Sequence, residues 1–508
     1  MKQREWILSV DVGTSSVKAT IFNEKAELVR EFSSGYPLIQ SRQGYVEQDP
    51  FKVLDAFYWA IQQVLSGVTD CPKVMILSTA MHALMAVDEF NQPLTHLVTW
   101  ADQRAEGMAG RLRSGPEGLS LYEKTGTPIH AMSPLVKLAW FRENESEIYH
   151  KTKLWADLKS WILFDLLGEW VVDESIASAT GLYNLASRDW DQDSLDWCGV
   201  SGAQLPRLVK TTDIVGCVKP DLAEKLGLGH DTRIIAGASD GALANLGVGA
   251  VNPGSLAISI GTSGAVRGMV NEPKLDPQGR LFCYHVDENH YIVGGPINNG
   301  GILVRWLQGI LLSGGESSDV FYEQLNLGVA KIAPGSDGLF CLPYLTGERA
   351  PFWREDVSGS FWGLKLMHTR DHLMRAVLEG VSYQLNSVVE LLFSLIGPVA
   401  EIRATGGVTK SEVWVQILAD VIGKPLGILE HTQGSALGGA FLAWYALGQI
   451  GSLEKCAELI PLARVQAPVQ TSVARYQDGY KLFKELVNLG EKTYLKLQEF
   501  AQKGASQC

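Results

Sequence analysis

The sequence predicts an α/β fold of two related domains, and three observations lead to this prediction. Apolar strand-like segments alternate with helical segments along the 508 residues, which is typical of sheets flanked by helices. A polar Gly-Thr-Ser turn at residues 13–15 joins two apolar strands near the start of the chain. The same three residues recur between apolar strands at 261–263, 248 residues further on, and this half-chain offset indicates an internal duplication.

The composition is that of a globular protein with a large core. Hydrophobic residues make up 46% of the chain and charged residues 20%, and the length suffices for two large domains or about three smaller ones. The formal net charge of −12 argues against a nucleic-acid-binding protein, which usually has a basic face. A small anionic ligand is still compatible with this charge, because a local site can be positive on an acidic protein.

Cysteine usage and hydropathy indicate the compartment. The seven cysteines are scattered and form no CxxC pair, as expected for free thiols in a reducing compartment. No apolar run reaches the length of a membrane span, and Asp11 interrupts the first apolar run too early for a signal peptide. We therefore expect a cytoplasmic protein without a membrane partner.

The first hairpin is a candidate phosphate site. Residues 6–10 and 17–22 are predicted strands, and the turn between them presents backbone N–H groups and small hydroxyls to one point, which suits a phosphate. Asp11 stands beside this turn as a candidate partner for a metal ion. The alternative is an ordinary hairpin in which the aspartate and the glycine serve only turn geometry.

Polar residues follow the next buried strand. An Asp-Pro pair predicts the start of a helix over 51–65, and a strand is predicted over 74–78. Ligands bind just past the carboxyl ends of such strands in open α/β sheets, although a lone His or Trp there is often structural. The side chains of this stretch that we predict to form a site are Met81, His82, Trp100, Asp102 and Arg104.

Caps and hydrophobic periodicity predict further elements. Helices are expected over 155–167 and after the Ser-Pro pair at 133–134. Asp371 and Ser411 are predicted to cap two helices of the second half. The acidic and aromatic segment 189–200 carries no motif and is predicted to be a loop or a surface element.

The pentapeptide Gly-Ala-Ser-Asp-Gly at 237–241 allows two interpretations. It follows a predicted strand over 232–236, so it fits the G-x-S-x-G nucleophile elbow of α/β-hydrolases with Ser239 as the nucleophile. In the other interpretation Asp240, a carboxylate at a strand end, acts as a general base. The repeated hairpin favours the second, because an α/β-hydrolase has no reason to contain one.

The second half of the chain adds glycine-rich strand ends to the repeated turn. Two hairpins with phosphate-sized turns suggest two domains that close on a nucleotide. A strand over 402–405 runs into Gly406 and Gly407, whose bare backbone could admit a flat adenosine or simply form a tight β–α turn. Glu348 and Arg349 lie in a dense turn, where a structural ion pair is expected rather than a functional one.

Over essentially its whole length the chain resembles the FGGY family of carbohydrate kinases, which are members of the actin-like ATPase superfamily. The motifs that carry the resemblance are residues 11–14 (DVGT), 132–140 (MSPLVKLAW), 237–241 (GASDG), 261–264 (GTSG), 380–407 and 434–439. The resemblance implies two ribonuclease-H-like domains, each a mixed sheet flanked by helices, with a cleft between them. It implies an N-terminal domain at residues 1–246, a C-terminal domain at 247–508, and ATP and Mg²⁺ as cofactors.

The resemblance also implies roles for single residues. Asp240 would be the catalytic base that accepts the proton of the attacking hydroxyl, and Asp11 would organise Mg²⁺ through water. Glycerol kinases carry Arg, Gln and Asn at Lys18, Arg305 and Ser411, so this sequence departs from that branch there. The residues expected to contact ATP are Gly13, Thr14, Ser15, Lys18, Gly261, Thr262, Gly301, Arg305, Gly407 and Ser411.

The substrate is predicted from three stretches, 81–84, 97–104 and 126–130, which resemble the gluconokinases of the family most and the xylulokinases next. The expected reaction is phosphorylation of D-gluconate at its terminal O6. A carboxylate substrate needs a cation, and the planar fork of Arg104 is the best candidate. The residues expected to bind this substrate are Met81, His82, Trp100, Asp102, Arg104 and Asp240.

Two alternatives stay open at this point. One is a xylulokinase or another pentulose kinase of the same family. The other is a non-catalytic or filament-forming ATPase on the actin-like fold, which should lack a base that faces a sugar pocket. The expected partner is a small sugar or sugar acid, with no nucleic acid; oligomeric state is not legible in the sequence, and a homodimer is left open.

Overall fold

The computed structural model describes residues 4–68, 71–311, 327–429 and 434–505. Its chain groups into two compact units that alternate along the sequence. The first unit comprises Met1–Pro253, Met269–Val293 and Gln433–Ile460, and the second comprises Gly254–Gly268, Gly294–Thr432 and Pro461–Cys508. The expected boundary between residues 246 and 247 was drawn along the sequence and stays a prediction.

The bounds of the elements show where the predicted motifs lie. The strands are β1 (Ile7–Val12), β2 (Ser16–Phe22), β3 (Leu28–Gly35), β4 (Leu38–Ile39), β5 (Glu47–Gln48), β6 (Val74–Thr79), β7 (Met85–Val87), β8 (Leu97–Val98), β9 (Leu154–Ala156), β10 (Val171–Asp173), β11 (Tyr183–Asn184), β12 (Asp189–Trp190), β13 (Arg207–Val209), β14 (Ile214–Cys217), β15 (Arg233–Ser239), β16 (Ser255–Ile260), β17 (Gly264–Val270), β18 (Phe282–Asp287), β19 (His290–Ile297), β20 (Phe340–Leu342), β21 (Ser360–Trp362), β22 (Glu401–Gly406), β23 (Leu426–Leu429) and β24 (Leu462–Gln466). The α-helices are α1 (Pro50–Leu65), α2 (Glu106–Ser114), α3 (Pro116–Thr125), α4 (Pro134–Asn144), α5 (Ser146–Lys151), α6 (Leu158–Leu167), α7 (Glu174–Ser178), α8 (Gln192–Cys198), α9 (Pro220–Leu226), α10 (Asp240–Gly247), α11 (Gly301–Leu311), α12 (Arg370–Ile396), α13 (Glu412–Ile422), α14 (Gly434–Ala446) and α15 (Gln470–Ala505).

The first sheet has six strands in the order β14-β15-β6-β1-β2-β3. Its strand β1 lies antiparallel to β2 and parallel to β6, and β15 is parallel to β6 on the other side. The carboxyl ends of β1, β6 and β15 therefore meet at one edge of the sheet. The first predicted hairpin is thus confirmed, with its Gly-Thr-Ser turn between β1 and β2.

The second sheet has seven strands in the order β18-β19-β17-β16-β22-β23-β24. Its β16 lies antiparallel to β17 and parallel to β22, which is the arrangement of β1 between β2 and β6. The two Gly-Thr-Ser turns therefore sit in equivalent places of two similar sheets. This repeats in three dimensions the duplication that the sequence predicts.

Small residues let α14 pack closely against its neighbours in the first unit. A Cβ built on Gly438 would lie 1.8 Å from the carbonyl oxygen of Leu243 in α10. A Cβ on Gly439 would lie 2.5 Å from the Ser9 hydroxyl of β1. Any larger side chain would push α14 away from the strand that carries Asp11, so glycine is required at both positions.

The structure corrects one predicted element and decides between two alternatives for another. Only part of 155–167 is helical, because Leu154–Ala156 forms β9 and Asp157 then caps α6 by accepting the backbone N–H groups of Lys159 and Ser160. The segment 189–200 forms the short strand β12 followed by α8 with several exposed residues, so of the two expected alternatives it is a surface element and not a loop. Ser194 and Cys198 of α8 are buried, so this helix has one acidic exposed face and one buried face.

Of the predicted helix caps, two hold and two need correction. Asp49 and Ser411 cap α1 and α13 with their side chains. Thr369, not Asp371, is the N-cap of α12. Ser133 occupies the N-cap position of α4, but its hydroxyl donates to the carbonyl of Thr180 instead of capping the helix.

Two chain-wide expectations concern membranes and thiols. No helix in the described ranges is long and apolar enough to cross a membrane. Six of the seven cysteines lie in the described residues, and all six are free thiols. The scattered spacing of the cysteines thus correctly indicated that they are unpaired.

Candidate active site

The carboxyl ends of three parallel strands place Asp11 and Asp240 at the same edge of the first sheet. Asp11 of β1 lies opposite Ser78 of β6, and Ser78 in turn lies opposite Ala238 of β15. Asp240 follows β15 directly as the first residue of α10. This edge is where ligands bind in open α/β sheets, so the two carboxylates stand where a ligand would meet them.

Two serine hydroxyls orient Asp11. Ser78 Oγ donates to its Oδ1 at 2.5 Å and Ser435 Oγ donates to its Oδ2 at 2.6 Å. Burial raises the pKa of this carboxyl, whereas the two hydrogen bonds and the charge of Lys18 act to lower it. The serines occupy one side of each oxygen, so the carboxylate keeps lone pairs for another ligand.

The donor chemistry at Asp11 fits Mg²⁺. This cation takes oxygen ligands in an octahedron, keeps several waters, and is usually bound by one or two carboxylates together with substrate phosphates. Among the residues that the structure describes, no group of three or more His, Cys, Asp or Glu side chains could hold a metal by itself. A magnesium ion carried by phosphates does not need such a group.

The first turn is anchored by side chains that the sequence analysis did not identify. Gln48 Nε2 donates to the carbonyl of Thr14 at 2.8 Å, and the Tyr36 hydroxyl donates to the carbonyl of Gly13. Ser15, at the tip, is exposed. Because the carbonyls are held by the protein, the turn keeps its shape without a ligand. Gln48 and Tyr36 lie on β5 and beside β4, and nothing local marks them as partners of the turn.

Trp100 and Lys18 flank the first turn. Trp100 Nε1 donates to Thr14 Oγ1 at 2.8 Å. Lys18 lies directly across the hairpin from Asp11, and its Nζ is 3.5 Å from Glu31 Oε1 in a half-exposed pair. Such pairs contribute little to stability, so exchanging this carboxylate for a phosphate would cost little.

In the second unit, the second turn is joined to the start of α11. Gly301 N donates to the carbonyl of Gly261 at 2.8 Å and Ile302 N to that of Thr262 at 3.0 Å. Arg305 Nη2 donates to Thr262 Oγ1 at 2.8 Å. The structure therefore brings together Gly261, Thr262, Gly301 and Arg305, four of the predicted nucleotide contacts. The turn itself is exposed at its first two residues.

The strand end at Gly406 and Gly407 lies beside the same turn. Gly406 has φ +91°, and a Cβ there would lie 2.5 Å from the carbonyl oxygen of Ile260, so only glycine fits. Ser411 is fully buried, and its Oγ accepts the backbone N–H of Trp414 at 3.2 Å. Helix capping accounts for this serine, and its contact with a nucleotide stays a prediction.

His82 is held in a strained conformation just past β6. Its φ of +69° lies in the left-handed region that residues other than glycine seldom adopt, and such strain clusters at functional sites. The Nδ1 atom is 2.7 Å from the carbonyl oxygen of Ala179. Met81, the residue before it, is half-buried. His82 is therefore fixed by the fold in one orientation.

Lys137 is a buried cation that the sequence analysis did not single out. Its Nζ donates to the carbonyls of His82 at 2.6 Å, Thr99 at 2.7 Å and Val98 at 3.2 Å. Burial lowers its pKa to about 7. The ammonium ties His82 to the segment that precedes Trp100. A lysine inside the apolar motif 132–140 was the signal that could have revealed it.

Asp102 and Arg104 form an ion pair rather than two free groups. Arg104 Nε donates to Asp102 Oδ1 at 2.8 Å, and Nη2 reaches Asp102 Oδ2 at 2.8 Å and Glu47 Oε1 at 2.5 Å. Asp102 also accepts the backbone N–H of Val46 at 2.7 Å. Asp102 is buried and its oxygens are engaged by these donors, so its contact with a polyol stays a prediction.

The surroundings of Arg104 narrow what it can still bind. Its guanidinium carbon lies 3.9 Å from the ring centroid of Tyr45. The described hydrogen bonds of the Arg104 side chain to carboxylates run from Nε and Nη2. Arg104 also lines a cavity of about 480 Å³ in the first unit, together with Glu47 and His96. The lining of that cavity does not include Trp100, His82 or Asp240.

Ser239 and Asp240 have different environments. Ser239 is buried; its Oγ lies 3.0 Å from Ser175 Oγ and accepts the backbone N–H of Ala242 at 3.3 Å. Asp240 is half-exposed at the N-terminus of α10, where backbone N–H groups favour a carboxylate. A buried capping serine is badly placed to attack a substrate, which counts against the hydrolase interpretation.

Glu348 is a fully buried carboxylate behind the start of α11. It accepts the backbone N–H groups of Asn298 at 2.5 Å and Arg349 at 2.9 Å. The Nε of Arg349 donates to Asn298 Oδ1 at 2.7 Å, so both members of the predicted pair are engaged within the protein. Burial raises the pKa of Glu348 from 4.5 to about 7.

Glu348 should make stability depend on pH in a defined direction. Between pH 4.5 and 7 the folded protein keeps a proton that the unfolded chain releases, so stability should fall as the pH rises through this window. Glu348→Gln should remove this part of the dependence. We expect the melting temperature of the wild type to drop by about 3 °C more than that of the variant between pH 5 and 7.5. The exposed Glu412→Gln is the matched control and should keep the pH dependence of the wild-type melting temperature. If Glu348→Gln kept the same pH dependence as well, the assignment to Glu348 would be contradicted.

Comparison with known proteins adds an independent finding. The model for the N-terminal domain of the FGGY family of carbohydrate kinases matches residues 6–247, and the model for the C-terminal domain matches residues 256–447.

Individual relatives align along almost the whole chain. It is 38% identical to the gluconokinase of Bacillus subtilis, over 97% of this chain and 98% of that protein. It is 31% identical to the xylulose kinase of the same organism, over 95% and 96% of the two chains. The solved structure of gluconate kinase from Lactobacillus acidophilus superposes with a TM-score of 0.93 at 34% identity, covering 97% of this chain and 99% of that one.

Proposed function

The chain belongs to the FGGY family of carbohydrate kinases, and from that premise we propose that it phosphorylates D-gluconate at O6 with ATP and Mg²⁺. The observation that carries the chemistry is the placement of Asp11 and Asp240 at one edge of the first sheet, beside an anchored polar turn. The choice of gluconate is supported by the higher identity to a gluconokinase than to a xylulose kinase, 38% against 31%.

Asp240 is the proposed general base. As the O6 oxygen of the substrate bonds to the γ-phosphorus, the bond from that phosphorus to the bridging oxygen of ADP breaks. The hydroxyl proton passes to the carboxylate of Asp240, which needs no strongly raised basicity because this transfer is late in a loose transition state. Asp240 is half-exposed at the N-terminus of α10, where backbone N–H groups favour a carboxylate.

The phosphates are the proposed ligands of the polar turns. The proposed donors of the first unit are backbone N–H groups, hydroxyls and a cation, supplied by Gly13, Thr14, Ser15 and Lys18. In the second unit, backbone N–H groups and a hydroxyl are proposed to come from Gly261 and Thr262. The residues proposed for the nucleoside are Gly301, Arg305, Gly407 and Ser411. Bound Mg²⁺ would neutralise charge on the transferred phosphoryl group. Asp11, held by two serines, is the proposed carboxylate for it.

The polyol is the proposed ligand of the residues around His82 and Trp100. Their positions are fixed by the Ala179 carbonyl and by Thr14 respectively, so both side chains would meet the polyol without rearrangement. Trp100 would contact it through the indole ring, because its one N–H already donates to Thr14. Met81 and Asp102 complete the proposed set. Arg104 is proposed to hold the substrate carboxylate through Nη1.

Replacement of Arg104 by lysine tests the carboxylate assignment. Lysine keeps a positive charge near Asp102 and Glu47 but loses the planar fork, so we expect the KM for gluconate to rise about tenfold with little change in kcat. The exposed Arg111→Lys is the matched control. An equal rise in KM for gluconate and for an uncharged ketopentose would contradict a role in carboxylate binding.

The position of the phosphate tests the proposed reaction. After incubation with ATP and gluconate, phosphorus–proton correlation spectroscopy should show the new phosphate coupled to the two protons on C6. Phosphate on another oxygen, or no sugar phosphate with gluconate, would contradict the proposal. A xylulokinase activity is the second candidate, favoured by the 31% identity to the xylulose kinase over 95% of this chain.

A further inference from the structure

A buried ion pair contacts β15, the strand that ends just before Asp240. Lys159 of α6 and Asp173 at the end of β10 are both fully buried, and Lys159 Nζ is 2.7 Å from Asp173 Oδ2. The ammonium also donates to the carbonyls of Ala238 at 2.9 Å and Leu77 at 3.3 Å. Burying a charge lowers the stability of the fold unless the charge is paired and hydrogen-bonded. The role of Lys159 is therefore not explained by packing alone.

The two carbonyls stand on either side of a defect in the first sheet. The pairing of β15 with β6 shifts register between Ile235 and Ala238. Gly237, within this bulge, has φ +75°, and a Cβ there would lie 1.9 Å from the carbonyl oxygen of Leu77. Its N–H donates away from β6, to Thr211 at 2.9 Å. Lys159 thus bridges the two strands at the point where their own ladder is interrupted.

Asp173 reaches the same point from the other side. It caps α7 by accepting the backbone N–H of Ile176 at 3.0 Å. In the same helix, Ser175 Oγ accepts the backbone N–H of Ser239 at 3.2 Å. The pair therefore acts on both residues that precede Asp240: Lys159 holds Ala238, and Asp173 fixes the helix that holds Ser239.

Three other carboxylates interact electrostatically with this pair, namely Asp157, Glu174 and Asp11. Burial raises the pKa of Asp173, and Lys159 is the largest influence that lowers it. The charge of Asp173 helps to raise the pKa of Asp157, the cap of α6, and Lys159 also acts to lower the pKa of Asp11. The ammonium therefore favours the ionised forms of both Asp173 and Asp11.

We propose that Lys159, with Asp173 as its counter-ion, is a positioning residue for Asp240. The inference rests on the proposed role of Asp240 as the base and deepens it. A β-bulge can settle in more than one geometry, and the ammonium selects the one in which the start of α10 presents Asp240 to the substrate hydroxyl. Without the Lys159 bridge, the carboxylate of Asp240 can still accept a proton but is no longer held at the substrate hydroxyl.

The first test is Lys159→Met, which is unbranched and one atom shorter than lysine and removes the donors. We expect kcat for sugar phosphorylation to fall about 100-fold, the loss that a misplacement of about 1 Å can cause. The Kd for ATP and the slow hydrolysis of ATP by water should change less than threefold, because neither needs Asp240 at the sugar. Arg375→Met, which breaks the buried Arg375–Glu379 pair of α12, is the matched control and should lower stability without this selective loss.

A double-mutant cycle separates positioning from a general loss of structure. If Lys159 acts through Asp240, then adding Lys159→Met to Asp240→Asn should reduce single-turnover transfer by less than threefold further. A full additional 100-fold loss would overturn the proposal. Asp173→Asn, which keeps the cap but removes the charge, carries the same cycle if Lys159→Met does not fold.

The cycle is run with whichever sugar the wild type phosphorylates fastest. If the wild type phosphorylated a ketopentose but not gluconate, the gluconate assignment would be wrong and the positioning role of Lys159 would be unaffected. If the losses caused by Lys159→Met and Asp240→Asn were additive with gluconate as the substrate, the positioning role would be wrong and the gluconate assignment would stand. The two ideas therefore fail in different measurements.

Discussion

Replacement of Asp240 by Asn is expected to lower kcat for sugar phosphorylation by about 10²–10⁴-fold, the range that a positioned general base contributes. Asparagine has nearly the same shape and can still accept a hydrogen bond from the substrate hydroxyl, but it cannot take the proton. Binding of ATP should be unchanged, because the proposed phosphate contacts are made by the turns. Steady-state kinetics and calorimetric titration with ATP measure the two quantities.

Ser239→Ala is the matched control for Asp240. Ser239 is buried and caps α10, so its loss should cost about 1 kcal/mol of stability and little activity. If Ser239→Ala were the inactivating change and Asp240→Asn harmless, the chemistry would be that of a serine nucleophile. The kinase mechanism proposed for this edge of the sheet would then be wrong.

Replacement of Asp11 by Asn is expected to lower kcat at least about 100-fold and to raise the Mg²⁺ concentration needed for half-maximal rate. A metal ion contributes several kcal/mol to stabilising charge in phosphoryl transfer, and the amide removes the charge that would orient it. One of Ser78 and Ser435 can still donate to the amide oxygen, and the other can rotate its hydroxyl to accept from the amide NH₂ group, so the fold should tolerate the change. Rates measured across a magnesium titration report both effects.

The second hairpin offers the control for Asp11. Ser259 of β16 stands at the corresponding place, and Arg267 Nη1 donates to its hydroxyl at 3.3 Å. The duplication thus keeps the Gly-Thr-Ser turn and replaces the carboxylate with a hydroxyl. Ser259→Ala should leave the magnesium dependence unchanged, and an equal shift in both variants would contradict the special role of Asp11.

The features that could be predicted from the sequence are those that local chemistry specifies. The two hairpins were legible because Gly-Thr-Ser between apolar strands is turn chemistry, and their half-chain spacing predicted two related domains. The comparisons confirm the two-domain fold of FGGY kinases, mixed sheets flanked by helices. The position of Asp240 after a strand and at the start of a helix followed from the same kind of local pattern.

The features that could not be predicted depend on residues far apart in the chain. Ser435 reaches Asp11 from 424 positions away, and no local pattern links them. The partner of Arg104 Nη2 is likewise remote in sequence, because Glu47 lies 57 positions before it. The buried positions of Lys137 and Lys159 could not be predicted, because the carbonyl groups that their ammonium groups contact lie in distant parts of the chain.

The most direct test of the proposed function is kcat/KM measured by coupled ADP release for D-gluconate, D-xylulose, L-ribulose and glycerol under identical conditions. We expect gluconate to exceed each of the others by at least about tenfold, since a site that pairs a substrate carboxylate with a cation discriminates by 1.4 kcal/mol or more. Fast turnover of a ketopentose with none of gluconate would contradict the account.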